Sequence, residues 1–146
     1  MITRLVPVLA LALGTLSTPA HGQRTGELRF VLTNIDAERG GHIRCAIYES
    51  ESTWLNRSQS MQQATAPVNG GSATCVFRNV PAGSYALAAL HDADDDREMD
   101  RNMVGIPEEG YAISNNEIER MSEPDFDEAR IRFDGNDSTT RARMSY

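Results

Sequence analysis

Apolar residues recur at every second position over most of the chain, the period of a strand with one buried face. Leu28, Phe30 and Leu32 lie on one side of a first strand, with Arg29, Val31 and Thr33 opposite. Residues 36–41 read as a turn, and residues 42–48 as a second strand with Ile43, Cys45 and Ile47 on its apolar side. A short helix or helical turn is expected after Ser52, with Trp54, Leu55 and Met61 on one face, stopping before Pro67. Asn69-Gly70-Gly71 turns the chain into a third strand over 72–78, and Pro81-Ala82-Gly83 into a fourth over 85–91. The fourth is apolar on both faces, which suits a central strand or one pressed under a covering loop. Alternation returns at Ala129, Ile131 and Phe133, and Asp134-Gly135-Asn136-Asp137 signals a hairpin turn before a last strand over 139–146. Short strands, frequent turns and little helix predict an all-β fold, an antiparallel β-sandwich.

The alternation fails between residues 92 and 128, where the charge also collects. That segment holds 14 acidic residues and three Arg, a net of −11, while residues 23–91 and 129–146 sum to +1 and +2. The acidic balance argues against nucleic acid and anionic membrane surfaces as partners. All 14 residues of the Lys and Arg count are Arg, which excludes lysine Schiff-base chemistry and a Walker-type phosphate loop.

Residues 1–22 read as an export signal: Arg4, an apolar run from Leu5 to Leu16, then Ala20-His21-Gly22 as a cleavage site. The run is too short to span a bilayer and no second one follows, so no membrane span is expected after cleavage. Residues 23–146 are then one β-sandwich domain, periplasmic or secreted. In that compartment Cys45 and Cys75, both on apolar strand faces, form one disulfide or remain two buried thiols. Neither has a neighbouring His or a CxxC spacing, so thiol catalysis and zinc are not expected.

Within the acidic segment, Asp92, Asp94, Asp96 and Asp100 follow a D-x-D-x-D-x-x-x-D spacing. In a tight loop this turns alternate carboxylates inward, an arrangement that suits calcium, a hard cation with six to eight oxygen ligands. Glu98 would contribute its carbonyl. The pattern departs from an EF-hand at Arg97, where Gly is expected for the sharp turn, and at Met103, where a bidentate Glu is expected. A solvated acidic loop without a cation is the competing reading. Gly105, Pro107 and Gly110 imply a defined path, with Ser114, Asn115 and Asn116 satisfying loop backbone groups. The segment is expected to cover one sandwich face as a lid that buries Ile106, Tyr111 and Ile113.

The run His91-Asp92, Asp94, Asp96, Asp100, Asn102, Gly105-Ile106-Pro107, Glu109-Gly110-Tyr111 and Ser114-Asn115-Asn116 resembles the signature of a bacterial family, "domain of unknown function 2141". Val80 to Tyr85 and Gly41 to Tyr48 are similar to the same family, so the resemblance spans roughly residues 27–146. The family usually has Gly where this chain has Arg97, and Phe where it has Ile113. The resemblance implies an exported β-sandwich, similar to transthyretin-like or carboxypeptidase-regulatory-like modules, and no activity.

The residues thus point to a non-catalytic binding or cell-envelope accessory module with an unidentified extracytoplasmic partner. Its acidic loop is stabilised by calcium or simply solvated. Two alternatives stand beside it. A small hydrolase would use His91 with Asp92 and Glu109, although neighbouring strand residues point to opposite faces. A carbohydrate-binding module would need exposed aromatic rings, and one Trp, four Tyr and four Phe are a thin supply.

Overall fold

In a computed structural model of the chain, residues 22–115 and 124–146 are described. The expected leader lies outside them except for Gly22, as does Asn116. Strand β1 (Thr25–Thr33) is the centre of a three-stranded sheet, flanked by β4 (Ser72–Pro81) and β8 (Ser138–Arg143). The second sheet has the order β3 (Gln62–Pro67), β2 (His42–Tyr48), β5 (Gly83–Asp92), β6 (Gly110–Ile113). Strand β7 (Arg130–Phe133) also pairs with β5, following a single helical turn α1 (Phe126–Ala129). All pairings are antiparallel except β1 with β8, which run parallel.

The two sheets close on side chains that alternate along each strand. Leu28, Phe30 and Leu32 of β1 and Cys75 and Phe77 of β4 meet Ile43, Cys45 and Ile47 of β2 and Tyr85, Leu87 and Ala89 of β5. Each large apolar side chain buried this way stabilises the fold by about 1.5–3 kcal/mol. Cys45 and Cys75 are bonded, so one disulfide ties the two sheets together inside the core. At the β4–β5 corner the Tyr85 hydroxyl donates to the Pro81 carbonyl 2.8 Å away, fixing the step from one sheet to the other.

The fourth strand of the sequence reading is central, as its two apolar faces suggested. Its outer face, away from the other sheet, carries Ala86, Ala88, Leu90 and Asp92. Ala86 and Ala88 join Ala46, Tyr48, Trp54, Ile113, Phe126 and Ala129 in a second, smaller apolar cluster. Strands β6 and β7 lie end to end along one edge of β5, against residues 88–91 and 83–86. Leu87 falls in the gap between them. Ser114 closes that gap: its N–H donates to the Leu87 carbonyl, its hydroxyl accepts from the Leu87 N–H, and the hydroxyl donates to Ala129 O. A buried backbone pair that the ladder misses is thereby satisfied.

Four expectations are corrected. The helix after Ser52 is instead two 3-10 turns, Glu51–Thr53 and Arg57–Gln59, separated at Leu55 by a left-handed φ of 58° that no continuous helix accepts. Trp54 packs in the outer cluster and Met61 against the inner core, so they share no face. Residues 62–67 are strand β3, which gives β2 the pairing partner its outer edge requires. The turn at 134–137 is not a hairpin, because β7 and β8 belong to different sheets. The last strand ends at Arg143, with Ser145 making only an isolated bridge to Tyr111. Finally, the lid buries Ile113 and half-buries Tyr111, but Ile106 remains 45% exposed, and residues 110–113 are strand rather than loop.

Candidate acidic-loop site

Strand β5 ends on two buried polar residues that face opposite ways. His91, on the inner face, is enclosed: Nε2 donates to the Gly40 carbonyl at 2.8 Å, and Nδ1 lies 2.7 Å from the Tyr146 hydroxyl. That hydroxyl in turn accepts the Asp36 N–H. Asp92 points to the outer face, where its Oδ2 accepts from Arg44 Nε and from the Arg97 N–H. Asp92 is 0% exposed, and its other oxygen, Oδ1, is buried without a hydrogen-bond partner among the described residues. The start of β2 passes tightly over this end of β5. Gly41 has φ 67°, and a Cβ there would collide with the Asp92 carbonyl oxygen.

Asp92, Asp94 and Asp96 each place a carboxylate oxygen within 4.8 Å of the other two. Asp94, Asp100 and Glu109 form a second such group, so Asp94 is common to both. The four side-chain ligands expected from the sequence, Asp92, Asp94, Asp96 and Asp100, thus all fall within these two groups. Glu98, expected to contribute its carbonyl rather than its carboxylate, is in neither carboxylate group; its N–H donates to Asp96 Oδ1 and the residue lines the groove on the outer face of the sheet. Turns built on side-chain oxygens set the loop's path: Asp96 N–H donates to Asp94 Oδ1, and the Val104 and Ile106 N–H groups both donate to Asn102 Oδ1. Arg97 adopts φ 73° and Asp95 φ 64°, so the turn that favours Gly is kept with Arg in the left-handed region.

Glu109 joins the cluster although its spacing gave no hint of it. The Arg101–Pro107 bridge doubles the loop back, and Glu108 N–H donates to Asp100 O, which returns Glu109 beneath the aspartates. Its Oε1 accepts from Ala93 N–H at 2.8 Å and its Oε2 from Asp100 N–H at 3.4 Å. Of the other loop residues, Gly105 turns at φ 83°, Pro107 closes the bridge, and Gly110 leaves room for the Tyr146 ring. Asn115 takes a left-handed φ of 63° and reaches the Glu128 carbonyl.

Burial raises the Glu109 carboxyl above the ordinary glutamate value, and the charges of Asp100 and Asp92 add to this against the two backbone donors. Desolvation, then repulsion from Asp94, Asp96 and Glu108, likewise raises Asp100. A folded-state carboxyl with a raised pKa binds its proton more tightly than the unfolded chain does, so it contributes stability as pH falls and loses it as pH rises through that value. In EDTA, the stability of the parent relative to Glu109→Gln is therefore expected to grow as pH falls from 7 toward the ordinary glutamate range. Urea midpoints of the two chains across that interval check this; a difference independent of pH would contradict it.

A family model described as "Uncharacterized protein conserved in bacteria (DUF2141)" matches residues 31–141. No curated protein and no solved structure matches the chain.

Proposed function

The chain belongs to this bacterial family, DUF2141, and from that premise we propose that it is an exported, non-catalytic binding module of the cell envelope whose acidic loop is organised by a calcium ion. The observation that carries the cation reading is Asp92: a fully buried carboxylate with one oxygen held by Arg44 and the Arg97 N–H, and the other without a partner. An unmatched buried carboxylate oxygen is costly unless something meets it. Two further carboxylates within 4.8 Å give a hard cation its first ligands, and Asp100 and Glu109 extend the set around Asp94.

Export is supported by the leader-like N-terminal residues and by a disulfide, a bond that persists in oxidising compartments. Among the described residues no helix is long and apolar enough to cross a membrane. The non-catalytic reading is supported by where the candidate groups point. Both ring nitrogens of His91 are engaged by Gly40 and Tyr146, on the face opposite Asp92. Trp54 makes T-shaped contacts with both Tyr48 and Phe126 and its Nε1 donates to Pro124 O, so the ring is engaged in the outer cluster rather than free as a sugar-stacking platform.

Titration calorimetry and thermal melts with calcium test the proposal. Extracellular calcium modules bind with Kd of about 0.1–1 mM, so about 10 mM calcium is expected to stabilise the protein by about 1.4–2.7 kcal/mol. Asp94→Asn with Asp96→Asn, which keeps the turn-forming oxygens, is expected to remove the effect. No heat and no shift in melting temperature at that concentration would sink it.

A further inference from the structure

Beyond the cation site, we infer that the outer face of the five-stranded sheet is a binding site for a small amphipathic anion, an apolar body carrying one carboxylate-type head. A groove of about 780 Å³ lies there, within the roughly 300–1,000 Å³ of small-molecule sites. Its floor is kept low by small side chains on two neighbouring strands, Ala46 of β2 and Ala88 of β5, with Leu90 and Ile113 beside them. One wall is the returning loop, which contributes Val104 and Ile106. The large apolar side chains left exposed among the described residues are Met103 at 105%, Val104 at 78% and Ile106 at 45%. All three sit on this one loop. Apolar surface gathered in this way beside a concavity marks a place where something apolar docks.

The head is specified by arginines. Arg44, Arg57 and Arg97 come together at one end of the groove. Arg44 is occupied by Asp92 and Asp95. Arg57 donates Nε to Gln63, but its Nη1 is buried with no acceptor among the described residues. Arg97 beside it is exposed, and its guanidinium has no acceptor among the described residues. Burial, followed by the charge of Arg44, pushes Arg57 below its ordinary value, so its positive charge is held at a cost in the unliganded protein. A guanidinium in that state gains most from an anion, and its planar donors suit a carboxylate. The chain is acidic as a whole, which makes two unmatched guanidinium groups beside an apolar groove a local preference rather than a general surface property.

The probe is octanoate, with octan-1-ol as the uncharged control and acetate as the head alone, followed by calorimetry on the disulfide-bonded protein. Measurements in EDTA and again in about 1 mM calcium separate this site from the cation site, since neither Arg57 nor Arg97 offers a ligand to a cation. Octanoate is expected to bind at least about tenfold more tightly than octan-1-ol, and Arg57→Gln to weaken it about tenfold, the worth of one charged hydrogen bond. Arg57→Gln with Arg97→Gln should lose more, and Arg57→Lys with Arg97→Lys should keep part of the affinity. Ala88→Leu, which fills the floor, should abolish binding. Equal affinity for octan-1-ol, an unaffected double Gln variant with a parent-like unfolding midpoint, or no octanoate binding in either buffer would each overturn the inference.

Discussion

Replacing Cys45 and Cys75 together with Ala is expected to cost about 3–4 kcal/mol and lower the melting temperature by roughly 10–15 °C. The bond closes a loop spanning 30 positions, and releasing it returns that closure entropy to the unfolded chain. Its position adds to the effect. Cys45 lies on β2 and Cys75 on β4, each almost fully buried, so the bond joins the two sheets where their inner side chains meet. With only two cysteines in the chain no second disulfide joins the sheets, and shortening both side chains also leaves a small void in a close-packed region. Thermal and urea unfolding of the parent, the reduced parent and the double variant measure the effect. The reduced parent should fall with the variant; a double variant within about 1 kcal/mol of the oxidised parent would show that the sheets hold without the bond.

The disulfide illustrates what the sequence could express. Period-two alternation placed both cysteines on inner faces, and that part was legible because one face of each strand is buried. Whether they meet depends on β2 and β4 lying in opposite sheets, which no local pattern encodes. The same limit explains β3. Gln62–Pro67 alternates weakly and ends in proline, so nothing local marks it as a strand; the open edge of β2 makes it one. Turn chemistry at 134–137 gave a turn but not its direction, since a crossing between sheets uses the same residues as a hairpin. At the candidate site, Asp92, Asp94, Asp96 and Asp100 were readable from spacing alone. Glu109 was not, because its approach depends on the bridge at Arg101–Pro107. The arginine-ended groove left no sequence signal at all. Arg44, Arg57 and Arg97 are far apart along the chain and converge only through the β2–β5 pairing and the turn before β3.

Asp92 decides how these parts share one end of the sheet, and Asp92→Ala in calcium-free buffer is expected to cost about 3 kcal/mol. The carboxylate is 0% exposed and the Arg44 side chain is only 12% exposed, so removing Asp92 leaves a largely buried guanidinium with a single exposed partner, Asp95. That penalty comes from the charge left behind rather than from the worth of the pair. Arg44→Met added to Asp92→Ala is therefore expected to recover at least half of the loss, because exchanging a buried pair for apolar groups is close to neutral. Urea midpoints of the parent and the two variants give the comparison. Recovery would assign the cost to the stranded Arg44; a double variant as unstable as the single one would assign it instead to the Arg97 N–H and the loop it anchors. Calcium adds an independent reading from the same three proteins. Both variants lack the unpartnered Oδ1, so both should lose calcium stabilisation whatever their stability in EDTA. If the cation still stabilised them fully, the carboxylates that hold it would be Asp94, Asp100 and Glu109, and Asp92 would serve the arginines alone.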